Sequence, residues 1–417
     1  MFSPTPLSIL RSILLCLPLA VIFTFIAPST TTTTSSAPSS GGAAAAPPFP
    51  TPTSSTSSTN KSPNPVLLPP RKTLSLKPEP IKNQTAAAKS TTPPTPRSQP
   101  QSAVEDDDKD DVSLLHLASR VDPNPKPVEK LAFMFLTTTH LPFAPLWESY
   151  FARAPKSEYN IYVHADPRFN RTANFPGVFS GRVIRSKPTR RHTPTLAAAA
   201  RRLLAHALLH DESNSMFLLL SPSCVPIHSF RFTRRFLAGS NQSFIEILKD
   251  EPRAYVRWAA RGVDAMLPEV EFADFRIGSQ FWAVVRRHAR DIVGDTRLWS
   301  KFRLPCLEDA TCYPEEHYFP TLMSMVDPSG CVPCTLTHVD WRGGHGGHPR
   351  MYKADEVGRE LIMGLRSSRP RYGDEGPGGS NSTVGLRRRD PFLFARKFSP
   401  ACLDRLMAIA DDVLFKD

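Results

Sequence analysis

Apolar and polar residues follow two different patterns along this chain. From residue 28 to residue 127 the sequence is dominated by Pro, Ser, Thr and Ala, with few aromatic or branched apolar residues to bury. Such a segment cannot offset the entropy lost on ordering, so it is predicted to be a disordered stem. Its acidic run EDDDKDD, residues 105 to 111, is predicted to be a solvated, self-repelling stretch.

From Val128 onward, short apolar runs alternate with helix-forming stretches. KLAFMFLTT, YNIYVHAD and SMFLLLSP are typical of buried strands, and TPTLAAAARRLLAHALLHD is the clearest helix, with Thr193 or Thr195 as its possible N-cap. Apolar strands that alternate with helices predict an α/β fold with a parallel, helix-covered sheet, and residues 128–417 suffice for one large domain. Ligands of such sheets bind beyond the carboxyl ends of the strands, here in TTTHLP, HADPR and SPSCVP.

An apolar segment precedes the predicted stem. Residues 7–27, LSILRSILLCLPLAVIFTFIA, contain one charged residue, Arg11, and are long enough for one membrane span. Because Arg11 lies toward the N-terminal side, a cytoplasmic tail of residues 1–6 and a lumenal remainder are favoured. We therefore expect an uncleaved transmembrane signal anchor, with a cleaved signal peptide as the alternative.

Cysteine and Asn-x-Ser/Thr patterns agree with a lumenal location. An even number of cysteines follows the apolar segment, which in an oxidising compartment predicts disulfides without selecting their pairing. The disulfide candidates are Cys224, Cys306, Cys312, Cys331, Cys334 and Cys402, and the glycosylation candidates are Asn60, Asn83, Asn170, Asn241 and Asn381.

The chain is basic, with a formal net charge of +12. Much of the excess lies in the predicted domain, in clusters such as RVIRSKPTRRH and LRRRDPFLFARK. A lumenal location excludes nucleic acid as the partner and favours an anionic ligand such as a nucleotide diphosphate or an acidic polysaccharide. A basic surface without a specific ligand is the alternative.

Two segments carry candidate acid-base and hydrogen-bonding groups. YPEEHYFPT, residues 313 to 321, places Glu315, Glu316 and His317 between two prolines, either as a solvated surface or as a proton-transfer site. Asp166 follows a predicted strand, where it can accept hydrogen bonds from a ribose or uracil ring or can form a turn before Pro167.

Two further segments have small residues at positions where a ligand could approach. In IGSQFWAV, residues 277 to 284, Ser279 and Gln280 precede an aromatic pair, which suits either a close backbone approach to a ligand or an ordinary packed turn. The segment WRGGHGGHP, which begins at Trp341, is predicted to form a flexible loop near the substrate.

A zinc site is the alternative for the cysteine and histidine residues of this region. Cys331 and Cys334 have the spacing of zinc ligands, and His338, His345 and His348 follow. Because no second matched pair exists and the predicted compartment favours disulfides, no metal site is predicted.

Seven segments occur in an order that resembles a known family. They are KLAFMFLTTTHLPFAPLWESYF, YNIYVHADPRFN, FLLLSPSCVPI, RIGSQFWAV, CYPEEHYFPTLMSM, LTHVDWRGGHGGHP and PFLFARKFSP. Over residues 129–412 they resemble the plant branch of the core-2/I-branching β-1,6-N-acetylglucosaminyltransferase family, glycosyltransferase family 14.

The resemblance implies a GT-A-like, Rossmann-type nucleotide-sugar fold in a single large domain. It also implies an inverting transfer of a sugar, N-acetylglucosamine by the family's name, from a UDP-sugar to a glycan or glycoprotein. The family lacks the usual Asp-x-Asp metal motif, so no cofactor and no metal are expected. A type II Golgi membrane protein with a lumenal catalytic domain is implied as well.

The resemblance also assigns roles to individual residues. The family's catalytic base maps onto Glu316, and Glu315 stands where the family has Asp. Lys397 in LFARKFSP maps onto the lysine that faces the diphosphate, Arg350 onto a second cation, and Asp166 onto the uridine-binding position.

One segment departs from the family pattern. Relatives carry a pattern like W-G-x-x-S/T-x-V-x-A-E-R before RRLL, whereas this chain reads RRHTPTLAAAARRLL. Arg191 replaces the Trp, and Ala198 and Ala200 replace acidic residues. This departure leaves the donor sugar open, and a catalytically inactive lumenal glycan-binding or scaffold protein with the same fold is the alternative function.

Overall fold

The computed structural model of the protein describes residues 101–168, 175–344, 347–374 and 388–417. The predicted tail, anchor and most of the predicted stem lie outside these residues, as do four glycosylation candidates: Asn60, Asn83, Asn170 and Asn381. Asn241 is described and exposed. Within the described residues, no helix combines the length and the apolar character that a membrane span requires.

The described strands form two sheets. They are β1 (Lys130–Thr137), β2 (Tyr159–Ala165), β3 (Asn214–Leu220), β4 (Val225–Pro226), β5 (Ser243–Phe244), β6 (Ala283–Val285), β7 (Cys331–Val332), β8 (Thr337–Val339) and β9 (Phe394–Arg396). The larger sheet has the order β2-β1-β3-β6-β5-β7, and the smaller has the order β4-β9-β8. In the larger sheet β1 pairs in parallel with β2 and β3, and β5 with β7, whereas β6 is antiparallel to β3 and β5.

Helices cover this sheet. The described α-helices are α1 (Gln101–Ser119), α2 (Ala144–Ala152), α3 (Thr195–His210), α4 (Phe230–Leu237), α5 (Ala254–Trp258), α6 (Arg286–Gly294), α7 (Arg297–Phe302), α8 (Pro314–Val326), α9 (Arg359–Ser367) and α10 (Leu403–Ala408). Short 3₁₀ turns lie at Lys156–Glu158, Gly177–Phe179, Ala259–Arg261, Asp309–Thr311, Ala354–Glu356 and Pro400–Cys402, and Ala410–Leu414 is a π-helix.

The α/β class predicted from the apolar runs is confirmed, but the fully parallel sheet is wrong. The three long strands are parallel, as their continuous apolar sequences indicate. The reversed strand, β6, has only three residues, so its periodicity carried no directional signal. Beside β2, residues 181–186 contribute one isolated parallel bridge, between Val183 and Val163.

Two hydrophobic cores lie on opposite faces of the sheet. Successive side chains of β1 alternate between them: Phe133 and Phe135 face an aromatic core, whereas Ala132 and Met134 face the core beneath α3. In the aromatic core, Trp147 of α2 packs edge-on against Phe135 with ring centres 5.1 Å apart. Burial on both faces explains why these strands are apolar at almost every position.

The predicted N-cap of α3 is wrong. Pro194 occupies the cap position and makes no side-chain cap bond. The two threonine hydroxyls bind the backbone of Arg190 instead. Thr193 Oγ1 donates to the carbonyl oxygen of Arg190 at 2.7 Å, and the N–H of Arg190 donates to Thr195 Oγ1 at 2.8 Å. The hydroxyls therefore fix the loop that leads into the helix.

Helix α1 lies within the segment predicted to be a disordered stem, so that prediction is wrong for residues 101–119. The helix packs against α3 and α6, with Ala118 fully buried. Asp111 pairs with Arg202 and, at 2.9 Å, with Lys187, and Asp110 pairs with Arg185 at 2.7 Å. Cations of the folded domain thus neutralise the end of the acidic run, which the run's own composition could not reveal.

Only one of the predicted disulfides forms among the described residues, Cys306–Cys312. Cys224, Cys331, Cys334 and Cys402 are free and buried. Cys331 lies in the core beneath α3, and Cys334 lies in the aromatic core across the sheet. These two thiols therefore face away from each other, so the two cysteines of the zinc alternative do not meet. Over the described residues, no group of three or more His, Cys, Asp or Glu could hold a metal.

We expect Asp111→Asn to destabilise the fold by about 1–3 kcal/mol, because Arg202, whose side chain is 6% exposed, would lose its charged partner. Asp110→Asn is the matched control: that carboxylate is 51% exposed and its loss costs about 0–1 kcal/mol. Denaturant unfolding at neutral pH measures both changes. Equal losses for the two variants would contradict a specific role of Asp111.

The pH dependence of the same contact has a defined sign. Burial raises the pKa of Asp111, but hydrogen bonds from Arg202 and Lys187 outweigh it and hold the pKa below its ordinary 3.8. The stabilisation is therefore present above that value and is lost as the pH falls through the folded-state pKa.

Candidate active site

A cavity of about 930 Å³ opens beyond the carboxyl ends of the parallel strands. Thr138 follows β1, Ser221 follows β3 and Glu246 follows β5, and all three line it. The segments TTTHLP and SPSCVP therefore border the site as predicted, whereas no residue of HADPR lines the cavity.

The stretch YPEEHYFPT forms the start of α8. Pro314 occupies the first turn, where its missing N–H costs nothing, and Glu315 and Glu316 follow in the same turn. Glu315 and Glu316 line the cavity, whereas His317 is fully buried and packs on the ring of Phe275. The solvated-surface alternative for this stretch is therefore wrong.

Pro320 lies inside α8 and cannot donate the hydrogen bond that the carbonyl of Glu316 would accept in a regular helix. Gly278 supplies the donor instead: its N–H lies 2.8 Å from that carbonyl oxygen. A Cβ on Gly278 would stand 2.0 Å from the backbone oxygen of Glu246, so only glycine allows the approach. The close contact predicted for IGSQFWAV is thus with protein backbone, and the neighbouring Ser279 and Gln280 line the cavity.

Glu315 is held in its neutral form. It is 4% exposed, and its Oε2 has no hydrogen-bond partner among the described residues. Burial, and then the charge of Glu316, raise its pKa to about 8, against the opposing effect of Arg191 and Arg261. At neutral pH Glu315 therefore keeps its proton and leaves the negative charge to its neighbour.

Glu316 is the more exposed carboxylate of the Glu315–Glu316 pair. Its side chain is 27% exposed, and its Oε2 lies 3.5 Å from Nη1 of Arg257. The surrounding protein buries it enough to raise its pKa above the ordinary 4.5, although Arg257, Arg191 and Arg396 oppose the shift. A carboxylate with a raised pKa that borders a cavity is suited to accept a proton.

Among the cations that line the cavity, Arg191, Arg396 and Lys397 are near enough for the first two to act on the charge of the third. Burial, followed by repulsion from Arg396 and Arg191, lowers the pKa of Lys397. Within the described chain, its ammonium group makes no hydrogen bond or ion pair, and Nε of Arg396 has no partner either. This clustered and unneutralised positive charge is a site for an anion.

Arg350 is not brought to the cavity. Its guanidinium pairs with Glu356 and lies over the ring of Tyr352, 4.9 Å from the ring centre. Because Arg350 pairs with a residue close to it in the sequence, it does not provide the second cation that the resemblance assigned to it.

Asp166 is also outside the cavity lining. It is fully buried and accepts hydrogen bonds from Arg168 Nη2 at 2.8 Å and from the N–H of Thr189 at 2.9 Å. Burial opposes ionisation, but these donors lower its pKa to about 2. In this structure Asp166 therefore anchors the backbone two residues before Arg191 and does not face a ligand.

The rim and wall of the cavity contain residues that the sequence did not single out. Glu246 lines the cavity, and burial raises its pKa to about 7 against the effect of Arg371. A charged residue within the apolar run SFIEIL was the available signal. Arg257, in AYVRW, had no comparable signal. Trp341, which the sequence did single out, also lies at the cavity, with 60% of its surface exposed.

Comparisons with known proteins identify relatives of this chain. A family model described as Core-2/I-Branching enzyme matches residues 131–366. The chain is 27% identical over 319 residues to Glycosyltransferase BC10 of Oryza sativa subsp. japonica, a match that covers 69% of this chain and 78% of the rice protein.

Among solved structures, the chain is similar to the galactosyltransferase LgtC in complex with donor and acceptor sugar analogs. The TM-score is 0.35 and the identity 11%, over 69% of this chain and 98% of LgtC. An active-site mutant of LgtC gives a TM-score of 0.34 and 10% identity over the same shares. These scores are too low to bear on the activity of this chain.

We expect Glu315→Gln to remove a pH dependence of stability. A folded-state pKa raised to about 8 stabilises the fold at low pH, and this stabilisation is lost as the pH rises from the ordinary 4.5 to about 8. The amide does not titrate, so the stability difference between the wild-type protein and the variant should fall by up to about 1.4 kcal/mol per pH unit. Unfolding measured from pH 5 to pH 8 tests this.

Glu308→Gln is the matched control, because that carboxyl group is exposed. Its stability difference from the wild-type protein should stay constant over the same pH range. A constant difference for Glu315→Gln as well would mean that Glu315 ionises normally in the folded protein.

Proposed function

We propose a reaction for this chain, which belongs to the core-2/I-branching enzyme family and is a glycosyltransferase. In this reaction it moves a sugar from a UDP-sugar to a hydroxyl group of a glycan or glycoprotein, with inversion at the anomeric carbon. N-acetylglucosamine is the donor sugar that the family favours. The observation that carries this proposal is that one cavity is lined both by the partly exposed carboxylate Glu316 and by the cations Arg396 and Lys397. The mixed sheet and the position of the cavity fit the GT-A-like architecture that the resemblance implies.

Glu316 is the general base of the proposed reaction. Its carboxylate takes the proton of the acceptor hydroxyl as that oxygen bonds to the anomeric carbon. The bond between the anomeric carbon and the diphosphate oxygen breaks on the opposite side, and its electron pair leaves with UDP. Lys397 and Arg396 stabilise the charge that grows on the departing diphosphate.

The neutral state of Glu315 supports this assignment of roles. Two adjacent carboxylates in a buried site do not both ionise readily, so the environment decides which one holds the proton. Glu315 is almost completely buried, whereas Glu316 faces the cavity and lies near Arg257. The ionised form therefore belongs to the residue that can reach the acceptor.

We also propose that the catalytic domain is lumenal and anchored in the Golgi membrane by residues 7–27. The apolar character of that segment and the position of Arg11 support the orientation. The Cys306–Cys312 disulfide and the exposed acceptor Asn241 fit an oxidising, glycosylating compartment. Nucleic acid is not a partner in this proposal.

Glu316→Gln should lower kcat by at least about 100-fold, because the amide cannot accept the proton. UDP affinity should change less than about twofold, since the leaving group contacts other residues. UDP release from a panel of UDP-sugars and glycan acceptors gives kcat, and calorimetry gives the affinity, with the exposed Glu308→Gln as control.

The pH profile provides a second readout. In the wild-type protein, kcat/KM should rise with pH through the pKa of Glu316, which lies above the ordinary 4.5. Unchanged turnover in Glu316→Gln would contradict its role as base. UDP binding by the wild-type protein without turnover of any donor would favour the inactive glycan-binding alternative.

The proposed transfer uses protein cations and needs no divalent metal. Lys397 and Arg396 supply the positive charge that a metal ion would otherwise supply. The resemblance also implies a family without the Asp-x-Asp motif. We expect activity with excess EDTA to remain within about twofold of the untreated value. Activity that is lost with EDTA and restored by manganese would contradict this account of leaving-group stabilisation.

A further inference from the structure

We propose that Arg191 is a further cation of the donor site and contacts the diphosphate oxygens directly. This inference rests on the proposed function and names a residue for it. Arg191 lines the cavity together with Arg396 and Lys397, whereas Arg350 is paired with Glu356 outside the lining. It also stands in the segment where this sequence departs from its relatives.

The loop that carries Arg191 is fixed from both sides. On one side, the carboxylate of Asp166 accepts the N–H of Thr189 at 2.9 Å. On the other, the hydroxyls of Thr193 and Thr195 bind the backbone of Arg190 at 2.7 and 2.8 Å. A long side chain on such a fixed base loses less freedom when it binds a ligand.

The next residue, His192, adopts a left-handed backbone conformation with φ of 61°. For a residue other than glycine this conformation is strained and persists where the surroundings impose it. The ring of His192 packs against Tyr313, which directly precedes α8, with ring centres 5.0 Å apart. The strained turn therefore joins the Arg191 loop to the helix that carries Glu316.

The guanidinium of Arg191 contacts the glycine-rich segment, whose Gly347 and His348 also line the cavity. Its Nη2 donates to the carbonyl oxygen of Gly347 at 3.0 Å, and its Nη1 contacts the ring of His348. Gly347 has φ of 70°, and a Cβ there would lie 3.1 Å from the hydroxyl of Tyr313. Glycine at position 347 therefore suits the contact between this segment and the guanidinium of Arg191.

Neither partner neutralises Arg191. The carbonyl of Gly347 is uncharged, and His348 is kept neutral because burial, Arg191, Lys397 and Arg396 all lower its pKa. Arg191, Arg396 and Lys397 thus form one group of interacting positive charges in the cavity lining, and Arg191 and Arg396 also act on Glu316. A UDP-sugar brings about two negative charges and released UDP about three, which this cluster can balance.

The chemistry of arginine suits this position. A guanidinium presents several N–H donors in a plane, so it can hold the Gly347 carbonyl and still offer donors to phosphate oxygens. A diphosphate that leaves an anomeric carbon gains charge on its terminal oxygens, where such a fork binds most strongly.

The test is isothermal titration of the full-length protein, purified in detergent micelles, with UDP and separately with uridine. The variants are Arg191→Ala, Arg191→Lys and, as matched control, Arg190→Ala, whose exposed side chain does not line the cavity. We expect Arg191→Ala to weaken UDP binding by about 10–100-fold and uridine binding by less than twofold, because only UDP carries the diphosphate. Arg191→Lys should fall between wild type and Arg191→Ala, and Arg190→Ala should match wild type.

A structural role for Arg191 would give a different result. Loss of loop order would weaken UDP and uridine equally, and this outcome would overturn the inference, as would unchanged UDP affinity in Arg191→Ala. Thermal unfolding shows whether Arg191→Ala is folded; if it is not, the ratio of UDP to uridine affinity in Arg191→Lys decides in the same way. A wild-type protein that binds no UDP would overturn the proposed function together with this inference, whereas wild-type binding with insensitive variants would overturn the inference alone.

Discussion

The candidate site depends on one hydrogen bond that a proline makes necessary. Pro320 interrupts the hydrogen bonding of α8 one turn after Glu316, and the freed carbonyl of Glu316 takes its donor from Gly278. A buried carbonyl without a donor would cost about 1–3 kcal/mol, so the two segments are held together. The same contact requires glycine, because the backbone of Glu246 lies directly beside it. One bond thus fixes the base, the IGSQ turn and a second carboxylate of the cavity relative to one another.

Electrostatics then divides the cavity into two regions. Around the start of α8, burial keeps Glu315 protonated, and Arg257 supports the charge of Glu316. Toward β9, positive charge accumulates without a matching carboxylate, and this repulsion lowers the pKa of Lys397. An acceptor hydroxyl needs the first region and a leaving diphosphate needs the second. This separation of a base from an anion site is the physical basis of the proposed transfer.

The loop before α3 shows how a change in sequence can redistribute roles. Ala200, which the resemblance sets against an acidic position of the family pattern, is buried in the core beneath the helix and contributes packing. Arg191 supplies charge from a different point of the same segment. Asp166, which the resemblance assigned to uridine, holds this loop through Thr189. The segment that raised doubt about activity is therefore the one that brings a new cation into the cavity.

The sequence by itself determined the elements whose signal is local or repeated. Continuous apolar runs predicted β1, β2 and β3, and the Ala/Leu pattern predicted α3, because burial on both faces or along one helix leaves a clear periodicity. The order of short motifs indicated the family, and the Glu-Glu pair indicated the candidate base. Tertiary structure decided what depends on distant partners. Cys331 and Cys334 are close in sequence but lie in opposite cores, Arg350 pairs with Glu356, and Asp111, in the middle of α1, pairs with Arg202 of α3. Charge and pairing at these positions are set by residues far away in the chain, so no local pattern could have shown them.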